Sequence, residues 1–224
     1  MTTLLLVRHG LTAQTGPVLT GWTPGVPLDE RGRAQVSALA ERIKGLVLDA
    51  VVSSPLDRCR ETAEALLAVR EAPAELAVDD RFGEVRYGDW TGRKLSELAE
   101  EPLWKVVQAH PSAVTFPGEG GEAMSAAQHR AITAVRDWNT RLGPEAVYAA
   151  VSHGDIIKAI VADALGLHLD QFQRIQADPA SLTVIRYTGL RPFLVRLNDS
   201  GGGIDSLLPA VKGGDSDAAV GGGA

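Results

Sequence analysis

One cysteine, Cys59, is present in 224 residues, so no disulfide can form within the chain, and a cytoplasmic setting is expected. Blocks of lysine or arginine are missing too, and the net charge is −6. Nothing supplies the phosphate-tracking surface that a nucleic-acid partner needs. Long apolar runs are absent: no segment approaches the roughly 20 apolar residues of a membrane span. The opening MTTLLLVRHG has neither the basic start nor the apolar length of a signal peptide. His110, His129 and His168 lack ligand-like spacing, and no metal or other cofactor is expected.

What is present is an ordinary globular balance, 45% hydrophobic and 22% charged, over a length that suits one domain with a real core. Short apolar runs alternate with helical patterns. Strands are expected at 3–7, 49–53, 75–78, 147–151, 182–187 and 193–197. Helices are expected at 28–45, 55–69, 95–109, 122–142 and 155–165. Asp29 is expected to cap the first helix and Pro55 to sit in the first turn of the second. The third is expected to break before Pro102, and 80–93 is Gly-rich and irregular. This order predicts an α/β fold, a mostly parallel sheet covered by helices on both faces. Residues 198–224, with their repeated glycines, read as a disordered tail, which leaves 1–197 as the domain.

In such a sheet, ligands bind beyond the carboxyl ends of the strands. Polar residues stand at those ends. LLLV runs into Arg8 and His9, AVV into Ser53, Ser54 and then Arg58, and AAV into Ser152, His153 and Gly154. Glu84 follows in the Gly-rich segment. A shared rim would gather two histidines, two arginines and one glutamate. Taken singly, each has a structural explanation, such as a hydrogen-bonded histidine or an exposed ion pair of little worth. Together they suit a phosphate monoester. Arginines match phosphate oxygens with planar, permanent charge, and helix N-termini after Ser54 and His153 add N–H donors. A neutral histidine can attack phosphorus, and a glutamate can protonate the leaving oxygen and then activate water.

Four segments in order, LLLVRHGLT, SSPLDRCRETA, GEVRYGDWTG and VSHGDIIKAI, resemble the motifs of the histidine phosphatase superfamily, the phosphoglycerate mutase-like proteins. The resemblance covers roughly residues 3–197. It implies a three-layer α/β/α sandwich. It implies that His9 is the nucleophile that becomes phosphohistidine, that Arg8 and Arg58 bind the phosphoryl group, and that His153 hydrogen-bonds that group. Glu84 matches the general acid and base. Thr20 and Gly21 match a phosphate-touching loop, and Gly154 adjoins His153 at the phosphate site. The Gly10 carbonyl is expected to receive the other His9 nitrogen and fix its tautomer. Thr15 stands where an asparagine often contacts phosphate, and Leu11 replaces a common glutamate. PGEGGEAM, residues 117–124, is two residues longer than its counterpart, with Ala123 in place of serine, and is expected to shape substrate choice.

The expected activity is metal-independent hydrolysis of a small phosphate ester. A phosphomutase is the alternative, and a phospho-ligand-binding protein without turnover is the alternative from another class. The resemblance favours hydrolysis, because the mutases it includes hold their acidic intermediate with adjacent arginines, and residues 94–119 carry no arginine pair. Trp104, Val106 and Val107 are candidate cap residues, with core packing as the other explanation. Tyr87 matches a mutase-like substrate position or a packing aromatic; Trp22 and Trp90 read as cleft walls or core. Cys59 reads as a packing residue, with oxidation sensitivity the alternative. An edge-strand homodimer is the assembly the resemblance implies.

Overall fold

The apolar run at the N-terminus decides the architecture. Residues Thr2–Arg8 form β1, whose side chains are buried on both faces: Leu4 and Leu6 join one core, Leu5 and Val7 another. A strand buried on both faces must lie inside a sheet covered on both sides. The computed structural model describes residues 1–71 and 74–202 and has that arrangement. With β2 (Ala50–Ser53), β3 (Glu75–Val78), β4 (Val147–Ser152), β5 (Leu182–Tyr187) and β6 (Pro192–Asp199), β1 builds a six-stranded sheet in the order β3-β2-β4-β1-β5-β6. The pairs β1–β4, β2–β4 and β2–β3 are parallel, and β1–β5 and β5–β6 antiparallel. The sheet is mostly parallel, as expected. Residues 188–191 are too few for a crossover, so β5 and β6 close as a hairpin.

Helices α1 (Glu30–Ile43) and α2 (Asp57–Ala68) cover one face, setting Leu39, Ile43, Ala63 and Leu66 against Leu5, Val7, Val51 and Val151. Short α3 (Leu95–Leu98) and α4 (Pro102–Ala109) come next in the chain, broken ahead of Pro102 as expected. Then α5 (Met124–Leu142) and α6 (Gly154–Ala164) cover the other face, setting Ala131, Val135, Ile156 and Ile160 against Leu4, Leu6, Val52 and Tyr148. The result is a three-layer α/β/α sandwich. Asp29 caps α1 by accepting from the Gly32 N–H at 2.7 Å. Single 3-10 turns at Asp80–Phe82, Gly88–Trp90 and Pro111–Ala113, and a longer 3-10 helix at Leu169–Arg174, fill segments with no regular period.

Two expectations need correction. Helix α2 starts at Asp57, because Leu56 is still extended with ψ 140°, and Pro55 precedes the helix instead of opening it. Strand β6 runs past residue 197 through Asp199. Asn198 is held by Asp178, donating from Nδ2 to its carboxylate and accepting from its backbone N–H, both at 2.7 Å. Residues 203–224 of the expected tail lie outside the described residues.

The loop after β1 is pressed against α1. A Cβ on Gly10 would come within 2.6 Å of the Gly32 carbonyl oxygen, and a Cβ on Gly32 would fall inside the Leu11 backbone. Helix propensity alone makes Gly32→Ala stabilising by about 1 kcal/mol. The contact reverses the sign, because backbone cannot yield as a flexible side chain can. Gly32→Ala is expected to cost about 2 kcal/mol and to lower the melting temperature, measured by thermal denaturation. A rise in melting temperature would show that the two backbones do not need this approach.

Register aligns the strand ends. Arg8 pairs with Ser152, and Ser53 with Val151, so β1, β2 and β4 stop on one rim. The antiparallel β5 begins at that rim, with Leu182 opposite Val7. The turn before it reaches back: the Ala180 N–H lies 3.2 Å from the Arg8 carbonyl and 3.1 Å from that of His9.

Candidate active site

His9 is the first residue beyond β1, and its backbone is tied on both sides. Its N–H donates to the Ser152 carbonyl at 3.1 Å, and its carbonyl accepts from Ala180. The ring is therefore placed by the sheet itself. Nδ1 lies 2.7 Å from the Gly10 carbonyl, which can only accept, so Nδ1 carries the hydrogen. Nε2 accepts from Arg58 Nε–H at 3.3 Å. Burial, then Arg58 and Arg8, hold His9 well below its ordinary pKa. At neutral pH the ring is uncharged, with its Nε2 lone pair directed at a guanidinium.

Arg58 stands in the first turn of α2 and is buried. Nη2 donates to the Gly21 carbonyl at 2.8 Å and to His153 Nδ1 at 3.3 Å, while Nη1 is buried with no hydrogen-bond partner. An unmatched N–H on a buried guanidinium beside His9 is a donor set for an oxyanion. Arg8, also buried, donates from Nη1 to the Ala177 carbonyl at 2.7 Å. Burial lowers its pKa against the pull of Glu84, Asp155, Asp178 and Tyr87. His153 lies 5.2 Å from His9, centroid to centroid, in an edge-on arrangement. Its Nδ1 accepts from Arg58, so its Nε2–H donates to Ser54 Oγ at 2.8 Å. Burial, then Arg58, keep it well below its ordinary pKa as well. Cys59 is fully buried beside it, and burial pushes its thiol up to about 12. It is a packing residue whose side chain has no exposed surface and lies 3.4 Å from His153 Nε2.

Glu84 is buried, and its carboxylate accepts from the Val85 N–H at 2.9 Å. Burial, then the charge of Asp155, push its pKa up to about 7. Asp155 belongs to a buried polar group that the sequence reading missed. It accepts from the Tyr87 hydroxyl at 2.8 Å and lies 3.7 Å from Lys158, whose ammonium donates to Gln173 at 2.9 Å. A signal was present: Asp155 and Lys158 stand three residues apart in GDIIKAIVADA, among residues that are otherwise mostly apolar. Tyr87 lines the cleft as well, and its hydroxyl donates to Asp155, which leaves its oxygen only as an acceptor toward a substrate.

Arg8, His9, Arg58 and Glu84 converge on one cleft, with Thr15, Thr20 and Gly21 also on its walls. Val18, Leu19 and Leu95 supply its apolar side. The Thr15 hydroxyl is paired with Thr12 Oγ1 at 3.0 Å, and the Thr20 hydroxyl donates to the Val18 carbonyl at 3.5 Å. Gly21, at φ 51°, turns its carbonyl to Arg58. His153 and Gly154 are buried and do not line the cleft. Neither do the expected cap residues. Val107 is buried in the core, Trp104 packs 6.2 Å from Trp90, and Val106 lies against the same cluster, because the apolar face of α4 has the sheet-side core to bury into. Trp90 is core too. Trp22 lies under the Arg86 guanidinium and donates from its indole N–H to the Glu84 carbonyl. Residues 117–124 brace the loop that carries Glu84 instead of lining the cleft: the Pro117 carbonyl accepts from Asp89 N–H, and the Glu122 N–H donates to the Arg86 carbonyl. Among the described residues, no three His, Cys, Asp or Glu side chains gather as a metal-ligand set.

Comparison with known proteins gives concordant results. The chain is 32% identical over 205 residues to phosphoserine phosphatase 1 of Hydrogenobacter thermophilus, covering 88% of this chain and 92% of that one. It is 28% identical over 190 residues to the probable phosphoglycerate mutase GpmB of Cronobacter sakazakii, covering 84% and 86%. The solved structure of YhfR from Bacillus stearothermophilus superposes with a TM-score of 0.78 at 28% identity, over 89% of this chain and 98% of that one. The model of the histidine phosphatase superfamily, branch 1, matches residues 4–200. A match that runs from within β1 to just past β6 takes in the whole sheet and every residue that meets at its rim, and the chain belongs to the histidine phosphatase superfamily.

Proposed function

We propose that the protein hydrolyses a small phosphate monoester through a phosphohistidine on His9, without a metal ion. The observation that carries this reading is the His9 ring. It is fixed by Gly10, neutral, and has its Nε2 lone pair on the Arg58 guanidinium inside the cleft. A phosphoryl oxygen drawn to the unmatched Arg58 Nη1 brings phosphorus to that lone pair. The two arginines match the charge of the transferring group, which is the main demand of phosphoryl transfer.

The steps then balance. Nε2 attacks phosphorus as the ester P–O bond breaks, and protonated Glu84 gives its proton to the leaving alkoxide. Ionised Glu84 next takes a proton from water as the water oxygen attacks phosphorus. The P–N bond breaks, its electron pair returns to Nε2, and inorganic phosphate leaves. A pKa near 7 suits both halves, since acid and base forms are both available at neutral pH. His153 acts through Arg58, which it holds by Nδ1. Contact between His153 and the phosphoryl group itself, the role the resemblance implies, requires it to exchange Arg58 or Ser54 for the ligand.

Phosphatase and mutase names both occur among the relatives, so similarity alone does not choose between them. The cleft favours hydrolysis. Arg8 and Arg58 are the cations on its walls among the described residues, and both face the phosphoryl position, while Val18, Leu19 and Leu95 offer a carboxylated intermediate no partner. A cytoplasmic setting remains part of this reading. So does a homodimer, supported by edge strand β6, which exposes Phe193, Val195 and Leu197. The test is phosphate release from a panel of small esters in the presence of a chelator, with 2- and 3-phosphoglycerate interconversion followed in the same samples. Release is expected, and dominates. Interconversion without release would make the protein a mutase; dependence on added metal would overturn the mechanism.

A further inference from the structure

Glu84 sits in a stretch with no sheet ladder or α-helix to hold it; the nearest regular element is the single 3-10 turn Asp80–Phe82. Its backbone is nonetheless fixed, and one side chain from α5 does most of this. Arg130 Nη1 donates to the Arg81 carbonyl at 2.7 Å and the Gly83 carbonyl at 2.8 Å, and Nη2 donates to the Glu84 carbonyl at 2.8 Å. Its two remaining N–H groups go to Glu122, from Nε at 3.1 Å and from Nη2 at 2.6 Å. A guanidinium has five N–H donors, and all five are used. Glu122 closes the grip from the far side, since its carboxylate also accepts from the Arg86 N–H at 2.8 Å. The loop is thus held at 81, 83, 84 and 86, on both flanks of the proposed acid and base.

We propose that Arg130 and Glu122 form a clamp that positions the Glu84 carboxyl for proton transfer. The inference rests on the proposed role of Glu84. Neither clamp residue lines the cleft, so both are positioning residues. The Glu84 carbonyl accepts from Trp22 as well as Arg130, so both its lone pairs are engaged and its peptide plane cannot rotate without losing one. Proton transfer needs hydrogen-bond contact with the leaving oxygen and then with water, a tolerance that a freed loop would not meet. A lysine at 130 keeps the positive charge but offers three donors from a single point in place of a planar fork. It cannot reach three carbonyls and Glu122 together.

The experiment compares Arg130→Lys, Glu122→Gln and Glu84→Gln with the wild type. The substrates are p-nitrophenyl phosphate, whose leaving group needs little protonation, and an alkyl phosphate, whose leaving group needs it fully. For Arg130→Lys, kcat on the alkyl ester is expected to fall ~10- to 100-fold. The p-nitrophenol burst, which reports attack by His9, keeps its rate, and inhibition by inorganic phosphate is unchanged, because His9, Arg8 and Arg58 are untouched. Glu122→Gln keeps the acceptor for Arg86 but places an amide donor against Arg130, and is expected to give the same pattern in weaker form. A wild-type alkyl rate in both variants would overturn the clamp. So would an equal loss on both esters accompanied by weaker phosphate inhibition, since that is the signature of a collapsed site. If Glu84→Gln itself leaves the contrast between the two esters intact, the acid–base reading fails first and takes the clamp with it. If Glu84→Gln widens the contrast while Arg130→Lys does not alter it, only the clamp is wrong.

Discussion

His9→Ala is expected to lower phosphate release by ~10⁴-fold or more, because it removes the nucleophile and leaves nothing else in the cleft to form the covalent intermediate. The fold is expected to survive. His9 contributes one side-chain hydrogen bond to Gly10 and one contact from Arg58, together worth about 2 kcal/mol. The backbone ties to Ser152 and Ala180 do not involve its side chain. Inorganic phosphate is expected to keep binding, since Arg8 and Arg58 remain. The check is rapid mixing with labelled ester followed by an alkaline quench, which preserves an acid-labile P–N bond. Label should appear on the wild type and be absent from the variant, which should still unfold cooperatively with a melting temperature lower by several degrees. Turnover near the wild-type rate in His9→Ala would sink the covalent mechanism. A second labelled residue would show that another group can replace His9.

The core of this site was legible because it is written at strand ends. LLLV followed by Arg8 and His9 cannot continue as a buried strand, and parallel pairing brings that end beside Ser53 and Ser152. Motif order then carried Arg58, His153 and Glu84 to one place. What sequence could not give was side-chain commitment. Tyr87 is near the substrate position, yet its hydroxyl proton is spent on Asp155, a partner 68 residues away. Thr15 sits on the cleft wall with its hydroxyl already paired to Thr12. Such choices depend on distances of a few tenths of an ångström between segments that have no fixed spacing in the chain.

Trp104, Val106 and Val107 show a different limit. An apolar face on a short helix looks the same whether it covers a ligand or a core. Only the position of α4 decides, and it lies against Trp90 and the sheet-side cluster. The same holds for residues 117–124, where an insertion beside the active site reads as a specificity loop but acts as a brace under Glu84's neighbours. The end of β6 was missed for a local reason. Asn198 and Asp199 resemble turn residues, and it takes Asp178, placed opposite by the preceding loop, to hold Asn198 in the strand.

Glu84→Gln should separate catalysis from stability, in opposite directions. Glutamine has the shape but cannot donate an acidic proton or become a base, so kcat on an alkyl ester is expected to fall ~10²- to 10³-fold, with a smaller loss in the burst from p-nitrophenyl phosphate. In the wild type, kcat/KM should decline above pH 7 as Glu84 loses its proton, and that limb should vanish in the variant. Stability follows from the same shift. The folded-state pKa is raised from 4.5 to about 7, so the native protein keeps a proton that the unfolded chain has already released. Native stability therefore falls as pH rises across that window, by on the order of 3 kcal/mol once Glu84 is ionised. Glutamine carries no charge to bury at any pH. The variant should melt above the wild type at pH 8.5 by several degrees, and the gap should shrink steadily to pH 4.5. His9 and His153, both held neutral, cost stability below pH 6.5 in the two proteins alike, so the difference between melting curves isolates Glu84. A gap that does not change with pH would mean an ordinary carboxylate, and with it the loss of the argument that Glu84 carries a proton to the leaving group at neutral pH. A gap that grows on the alkaline side, paired with lost turnover, would mean that burying this carboxyl destabilises the fold for the sake of its acidity.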